Sequence, residues 1–317
     1  MRIKWWGWSI LGAVVVAAAI SSPILIGWIG TTSPTALGKN PAFLEPIQLP
    51  VDPDSILKSN PAKDATNDYQ MALADYQKNP RNYDEFGAGL GSAPAGIERL
   101  VSASDAGTAR FFADDPAKIV NYKMQKPDID AFVEIGRTAN RAALLRAGDD
   151  PKLARKYFES AFALGRVLYA ERLNHAELSA GLGLMNESAI GLRFLAQKTG
   201  DQAAEQQLTQ FIDSIRQYTD QHIRPTWNIL SSIDPKIIEQ HTGDIYLLAR
   251  QSKDKTWRTE AILTLGRYRF FATRSGDQRQ ATQYLSELSN TPNLPPTLQT
   301  AVQAASHLTA EQYRNLQ

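Results

Sequence analysis

Side chains suited to catalysis or metal binding are sparse in this chain, which has 317 residues, no cysteine and four histidines. The histidines at positions 175, 222, 241 and 307 form no HExxH motif, no HxH motif and no i,i+4 pair, so we expect no metal site. The glycine-rich stretch 87–91 follows no predicted strand, so it lacks the context of a phosphate-binding loop. The sequence therefore predicts no cofactor.

Glu159 is the one candidate for a catalytic acid. Glu159-Ser160 and the later stretch 183–186, Gly-Leu-Met-Asn, are similar to the catalytic Glu-Ser and the Gly-Leu-Met-Gln of lytic transglycosylases. The resemblance implies a cell-envelope enzyme that cleaves glycan with Glu159 as general acid. The chain departs from that family at Asn186, which replaces Gln, and it lacks the proline after Glu-Ser. We therefore expect an ordinary helix glutamate and keep the enzyme as the alternative.

The charge balance excludes one class of binding protein. Lys and Arg number 34 and Asp and Glu number 33, which gives a net charge of +1. A nucleic-acid-binding protein needs a basic surface to neutralise phosphates, so we expect no nucleic acid partner. Apolar residues make up 43% of the chain, which is ordinary for a protein that packs a core.

The N-terminal residues 1–30 predict a membrane anchor. From Trp5 to Gly30 the sequence is almost continuously apolar, and these 26 residues would reach about 39 Å as a helix, enough to cross a lipid bilayer. Tryptophans favour membrane interfaces, and cations before a first span favour the cytoplasmic side. The residues expected at the two interfaces are Arg2, Lys4, Trp5, Trp6, Trp8 and Trp28. We expect a single pass through a bacterial inner membrane, with the N-terminus cytoplasmic and the remaining chain periplasmic.

A cleaved signal peptide is the competing interpretation of the same segment. Ala17-Ala18-Ala19 offers small residues after a short cationic region and an apolar stretch, so cleavage near Ala19 would secrete the protein. We favour the uncleaved anchor because of the length of the apolar stretch. Both interpretations export the rest of the chain.

Residues 31–61 predict a proline-rich spacer. Because of the prolines at 34, 41, 46, 50 and 53, we expect no helix and no inner strand over residues 31–55. One interpretation is an extended stalk that holds a domain away from the bilayer. The other is an irregular strip on the domain surface, which is supported by its apolar residues Phe43, Leu44, Ile47, Leu49 and Val51.

Residues 62–317 predict an exported all-α domain, because apolar residues recur there with the period of a helix. The clearest helix is 149–173, with an aspartate before Pro151 to cap it. Further helices are predicted at about 62–78, 96–104, 128–147, 176–198, 202–222, 235–251, 256–274, 278–289, 296–306 and 309–316. Gly-Asp pairs at 148, 200, 243 and 276 predict short turns, so neighbouring helices should pack antiparallel.

Internal similarity indicates a repeat-like array. A branched apolar residue precedes Gly-Arg at Gly136, Gly165 and Gly266, and glycine inside a helix usually permits close approach of a neighbouring helix. The stretch 161–171 resembles the first helix of a tetratricopeptide repeat, and 257–270 is similar to a HEAT-type helix. These resemblances imply stacked antiparallel helical hairpins, an α-α superhelix-like array behind the transmembrane helix, although no steady repeat period is visible.

Such arrays offer concave surfaces for another protein. Residues that such a partner could contact are Arg137, Arg166, Arg267, Trp257 and Tyr268, although core packing is the default for the aromatic pair. The leading hypothesis is therefore a membrane-anchored extracytoplasmic scaffold or accessory subunit that binds another protein. A further alternative is a subunit docked by its span into a multi-subunit membrane complex.

Overall fold

Helices make up most of the protein. The computed structural model describes residues 41–78, 96–112, 122–232 and 234–312. Of these residues 78% are helical and 3% lie in strands, so the all-α prediction is confirmed at this level. The predicted anchor lies outside the described residues, as do all six of the expected interface residues. Within the described ranges no helix is long and apolar enough to cross a membrane.

Twelve α-helices are described, and from the fourth onward they follow one another with short connections. They are α1 (Pro53–Ile56), α2 (Thr66–Lys78), α3 (Ile97–Ala103), α4 (Tyr122–Arg146), α5 (Pro151–Glu171), α6 (His175–Thr199), α7 (Gln202–Tyr218), α8 (Arg224–Leu230), α9 (Pro235–Gln251), α10 (Lys255–Phe271), α11 (Ser275–Ser289) and α12 (Pro296–His307). Two short strands, β1 (Asn60–Asp64) and β2 (Ala106–Thr108), pair in parallel. A 3-10 turn, Pro41–Leu44, precedes α1.

Capping explains the helix starts that the sequence predicts well. Asp150 accepts a hydrogen bond from Leu153 N at 3.0 Å, so α5 begins at Pro151. Gly200 ends α6 in the left-handed conformation, and Asp201 caps α7. The predicted turn at 243 is wrong, because residues 243 and 244 lie inside α9.

A π-helical turn carries the chain from α7 into α8. Residues Thr219–Ile223 form this turn between α7 and α8, so the chain runs on through Pro225 instead of ending its helix near residue 222. In a π-helical turn the hydrogen bonds join residues five apart instead of four. This change of register comes just before Pro225, which has no amide hydrogen to donate.

Glycines bring α5 and α6 into close contact. A Cβ on Gly165 would lie 2.8 Å from Gly181 O, and a Cβ on Gly181 would lie 2.5 Å from Tyr169 N. Further along, Gly191 faces the ring of Phe158, so residue numbers rise on one helix as they fall on the other. The antiparallel hairpin and the close approach expected at Gly165 are thus confirmed for this pair.

The stack extends to both sides of this hairpin. Helix α4 packs on both α5 and α6, and Gly136 faces Leu184 there. On the other side α10 packs against α9, α11 and α12. One continuous apolar core runs through these layers.

Candidate functional site: a strap across the helix ends

The most distinctive site is the segment 43–57, which we call the strap. It contains the three buried apolar residues Phe43, Ile47 and Leu49, which pack in the same core as the helices. The alternative of a strip on the domain surface is therefore what the structure shows for residues 43–59. The expectation of no helix here is wrong at Pro41–Leu44 and at α1, because Asp52 caps α1 and Pro53 takes a position in its first turn. The stalk remains a prediction only for residues 31–40, which the structure does not describe.

Side chains at the end of α5 and at the start of α10 form hydrogen bonds with the backbone of the strap. Ile47 N donates to Asp254 Oδ2 at 2.9 Å, and Ile47 O accepts from Tyr169 Oη and from Arg172 Nη2, each at 3.1 Å. Asp254 caps α10, while Tyr169 and Arg172 lie at the end of α5. The strap thus receives from side chains the hydrogen bonds that a helix or sheet would otherwise supply.

Neighbouring strap residues are bound in the same way. Gln48 N donates to Tyr218 Oη at 3.1 Å, and Leu49 N donates to Tyr169 Oη at 3.3 Å. Burial raises the pKa of both tyrosines above the ordinary value, so both hydroxyls stay protonated at neutral pH. Helices α5 and α7 therefore both bind the backbone of the strap, each through a tyrosine hydroxyl.

Arg172 occupies a special backbone position at the end of α5. Its φ of 20° lies at the edge of the left-handed region, which costs a residue with a Cβ about 1–2 kcal/mol. Its guanidinium donates to Asp254 Oδ2 at 3.2 Å and lies 4.7 Å from the centre of the Tyr169 ring. These bonds stabilise the unusual backbone and place the arginine under the strap.

Arg166 fastens the second half of the strap. Its side chain is 7% exposed and donates to Asp54 Oδ1 at 3.0 Å, to Leu57 O and to Ala106 O at 2.8 Å. Burial lowers the pKa of the guanidinium from its usual value, and Asp54 opposes that shift. One arginine thereby joins α5, the strap and β2.

Two carboxyl groups lie together beside the α5–α6 turn. Glu171 accepts from Phe111 N at 2.7 Å and from Phe112 N at 3.0 Å, and Glu177 accepts from Leu173 N at 2.7 Å. Burial, and then the nearby charge of Glu171, raise the pKa of Glu177 well above its ordinary value. No described donor reaches Glu177 Oε1, which fits a protonated Glu177 that donates to Glu171.

His175 lies in an aromatic stack at the start of α6. Its ring is parallel to that of Trp227 with centroids 3.8 Å apart, and Trp257 lies 6.4 Å away. Burial lowers the pKa of His175 to about 3, so its ring is neutral at physiological pH. The amide of His175 donates to Glu260 Oε1 at 2.7 Å, which ties α6 to α10.

The interactions of these groups stabilise the fold. Each carboxylate accepts backbone amides or pairs with a cation, and His175 is neutral and stacked. No group of three or more metal-ligating side chains occurs in the described ranges. The arrangement binds a peptide segment of the same chain and locks three helix ends together.

Glu159 lies away from this cluster, in a shallow groove. Its Oε1 accepts from Arg155 Nε at 2.8 Å, and its side chain is 26% exposed. The groove has a volume of about 200 Å³ and also contains Lys152, Leu192 and Leu208. The family resemblance requires Glu159 to donate a proton to a glycosidic oxygen. Here the guanidinium of Arg155 donates a hydrogen bond to the carboxylate of Glu159. Residues 183–186 lie inside α6 and are absent from this groove.

The expected partner residues are engaged inside the protein. Arg137 Nη2 donates to the buried Glu187 at 2.9 Å, Arg166 holds the strap, and Arg267 donates to the carbonyls of Leu230 and Ser232. Trp257 and Tyr268 are buried in the core. Arg166, Trp257 and Tyr268 are therefore buried, while Arg137, whose side chain is 25% exposed, and the half-buried Arg267 bind neighbouring segments of the same chain.

Sequence reasoning missed the residues that bind the strap. Asp254 carried one detectable signal, since an aspartate before a helical pattern is typical of a cap. Tyr169 and Arg172 carried none. Comparison with protein-family models, curated proteins and solved structures gives no match to this chain.

Proposed function

We propose that the protein is a membrane-anchored helical scaffold or accessory subunit, whose residues 5–30 cross a bilayer and whose helical body binds another protein on the outer side. The observation that carries the proposal is the strap. Since Ile47 is held by Asp254, Tyr169 and Arg172, the chain that leaves the membrane is attached to the helix ends almost at once.

The strap shortens the distance between the bilayer and the body. If residues 31–61 were a free stalk, the body would stand far from the lipid. Phe43 is the first described buried residue, so at most thirteen peptide steps separate Gly30 from the fixed part of the chain. They span at most about 45 Å. Anchor and body then behave as one unit next to the membrane.

The placement of the ionisable groups favours binding over catalysis. The buried acids Glu171 and Glu177 hold backbone amides, and Glu159 is paired with Arg155. A stack of helical hairpins offers extended outer surfaces without a catalytic centre. These observations support a scaffold, and nothing in the groove around Glu159 favours an enzyme.

The proposal is tested by gentle solubilisation of the tagged full-length protein and analysis of what remains bound in stoichiometric amount. A second variant carries an unrelated Leu-Ala span in place of residues 5–30. A companion retained by both proteins binds the helical body, as the proposal requires. A companion lost with the span exchange docks against the span instead. Elution of the wild-type protein as a solitary monomer would contradict the scaffold function.

A further inference from the structure

A basic corner lies where the strap enters the helical body. We define it by Arg250, Lys253, Lys255 and Arg258, four cations within nine residues at the junction of α9 and α10. We propose that this corner faces the bilayer and binds anionic lipid headgroups. The inference rests on the proposed function, because it takes residues 5–30 as the span.

The strap is joined directly to this corner. Lys253 N donates to Leu44 O at 2.8 Å, and Lys253 Nζ donates to both carboxylate oxygens of Glu45 at 2.9 Å. Leu44 and Glu45 are among the first described residues after the predicted span. The junction of α9 and α10 is therefore the point of the body to which the membrane tether is attached.

The cations of the corner differ in how they meet solvent. Arg250 and Lys253 are exposed, whereas Lys255 Nζ and Arg258 Nε donate to backbone carbonyls. Asp254 is buried and balanced by Arg172, while Glu45 pairs with Lys253 and the exposed Glu287 lies near Arg250 through Tyr246 Oη. Four cations against Glu45 and Glu287 leave the corner a net positive charge, and an exposed ion pair is weak, so Lys253 can exchange Glu45 for a phosphate.

The opposite end of the body lies much farther from the attachment point. Lys255 Nζ donates to Ala170 O at 3.3 Å, so the basic corner packs at the C-terminal end of α5. The 21 residues of α5 place the turn around Asp149 about 30 Å away. An anionic membrane surface attracts cations over about one Debye length, roughly 10 Å at ordinary salt, so only the near end would feel it.

The absence of cysteine makes a direct test possible, since one introduced cysteine carries the only label. Full-length Gln251→Cys and Asp149→Cys, each with an environment-sensitive fluorophore, are reconstituted in vesicles containing about 30% phosphatidylglycerol and a lipid with a nitroxide headgroup as quencher. Both positions are exposed. We expect quenching at position 251 to be at least about threefold stronger than at position 149, because it falls steeply with distance from the headgroups.

Neutralising variants test the role of charge. Arg250→Gln with Lys253→Gln should lower the quenching at position 251 by about half, as should vesicles of phosphatidylcholine alone. The matched control Lys152→Gln with Lys156→Gln removes two exposed cations at the far end of α5 and should change nothing. Equal quenching at both positions, or quenching at 251 that ignores both neutralisation and lipid charge, would overturn the inference.

Vesicle flotation of the same samples separates the two proposals. If the wild-type protein floats with the vesicles and its labels are quenched equally, the anchor stands and the orientation is wrong. If the protein is released from vesicles by alkaline carbonate, the anchor itself fails and the inference fails with it.

Discussion

The carboxylate of Asp254 accepts the backbone amide of Ile47 at 2.9 Å, across a separation of 207 residues. Asp254 also caps α10 and accepts from Arg172, and its side chain is 1% exposed. This single buried carboxylate therefore links the strap, the α5–α6 turn and the start of α10. The attachment of the N-terminal segment to the body depends on it.

Asp254→Asn should release the strap. Oδ2 of Asp254 accepts hydrogen bonds from Ile47 N and from Arg172 Nη2. In the asparagine variant an NH2 group takes its place, which cannot accept, so these two buried donors lose their acceptor. We expect a loss of about 2–4 kcal/mol in the free energy of unfolding, measured by urea denaturation. The control Glu45→Gln removes the exposed pair with Lys253 and should cost less than about 0.5 kcal/mol. Equal effects of the two substitutions would contradict the central position of Asp254.

Gly181→Ala should separate α5 from α6. The new Cβ would lie 2.5 Å from Tyr169 N, and backbone cannot yield as a flexible side chain does. We expect a loss of about 1–3 kcal/mol in thermal or urea unfolding. At Gly183, in the same helix, no described atom outside the helix's own backbone lies within 4 Å of the equivalent position. Gly183→Ala should therefore be neutral or stabilise by up to about 1 kcal/mol, and a loss there as large as at Gly181 would argue against close packing as the cause.

The interior of α5 and α6 shows what could be read from the sequence. The helical period, the Asp150 cap and the glycine positions depend on local patterns, so the predictions at Gly165 and at the start of α5 are confirmed. The strap was left open between two interpretations, because the partners of Ile47 lie more than one hundred residues away and carry no local pattern. Arg166 was placed on a possible partner surface because a single sequence does not show which side of a helix is covered by the next layer, whereas the default of core packing is confirmed for Trp257 and Tyr268.

Glu177 should make a contribution to stability that falls as pH rises. Burial and Glu171 raise the pKa of folded Glu177 well above that of the unfolded chain. Its contribution is thus complete below the ordinary glutamate pKa and is lost as pH rises through the folded pKa, with a slope of at most about 1.4 kcal/mol per pH unit. Glu177→Gln can still accept from Leu173 N and donate to Glu171, so it should flatten this pH dependence. Exposed Glu311→Gln is the control, and an unchanged slope in Glu177→Gln would contradict a raised pKa at Glu177.

Acid should destabilise the protein through His175. Folding lowers the pKa of this histidine from about 6.5 to about 3, so its contribution is present above pH 6.5 and is lost as pH falls toward 3. His175→Phe keeps an aromatic ring against Trp227 but does not titrate. The Tm of this variant minus that of the wild type should therefore increase on going from pH 6.5 to pH 4, because Glu177 contributes equally to both proteins. His307→Gln, at the exposed end of α12, should leave the acid response unchanged.

The most direct test of the account is hydrogen exchange at the strap in the full-length protein. The amide of Ile47 is buried and bound to Asp254, and those of Gln48 and Leu49 are bound to tyrosine hydroxyls. The account predicts that these amides exchange at least about 100-fold more slowly than in an unstructured peptide, and that Asp254→Asn abolishes the protection. Exchange of residues 47–49 at the rate of a free chain would show that the strap is not bound, and would contradict the proposed union of anchor and body.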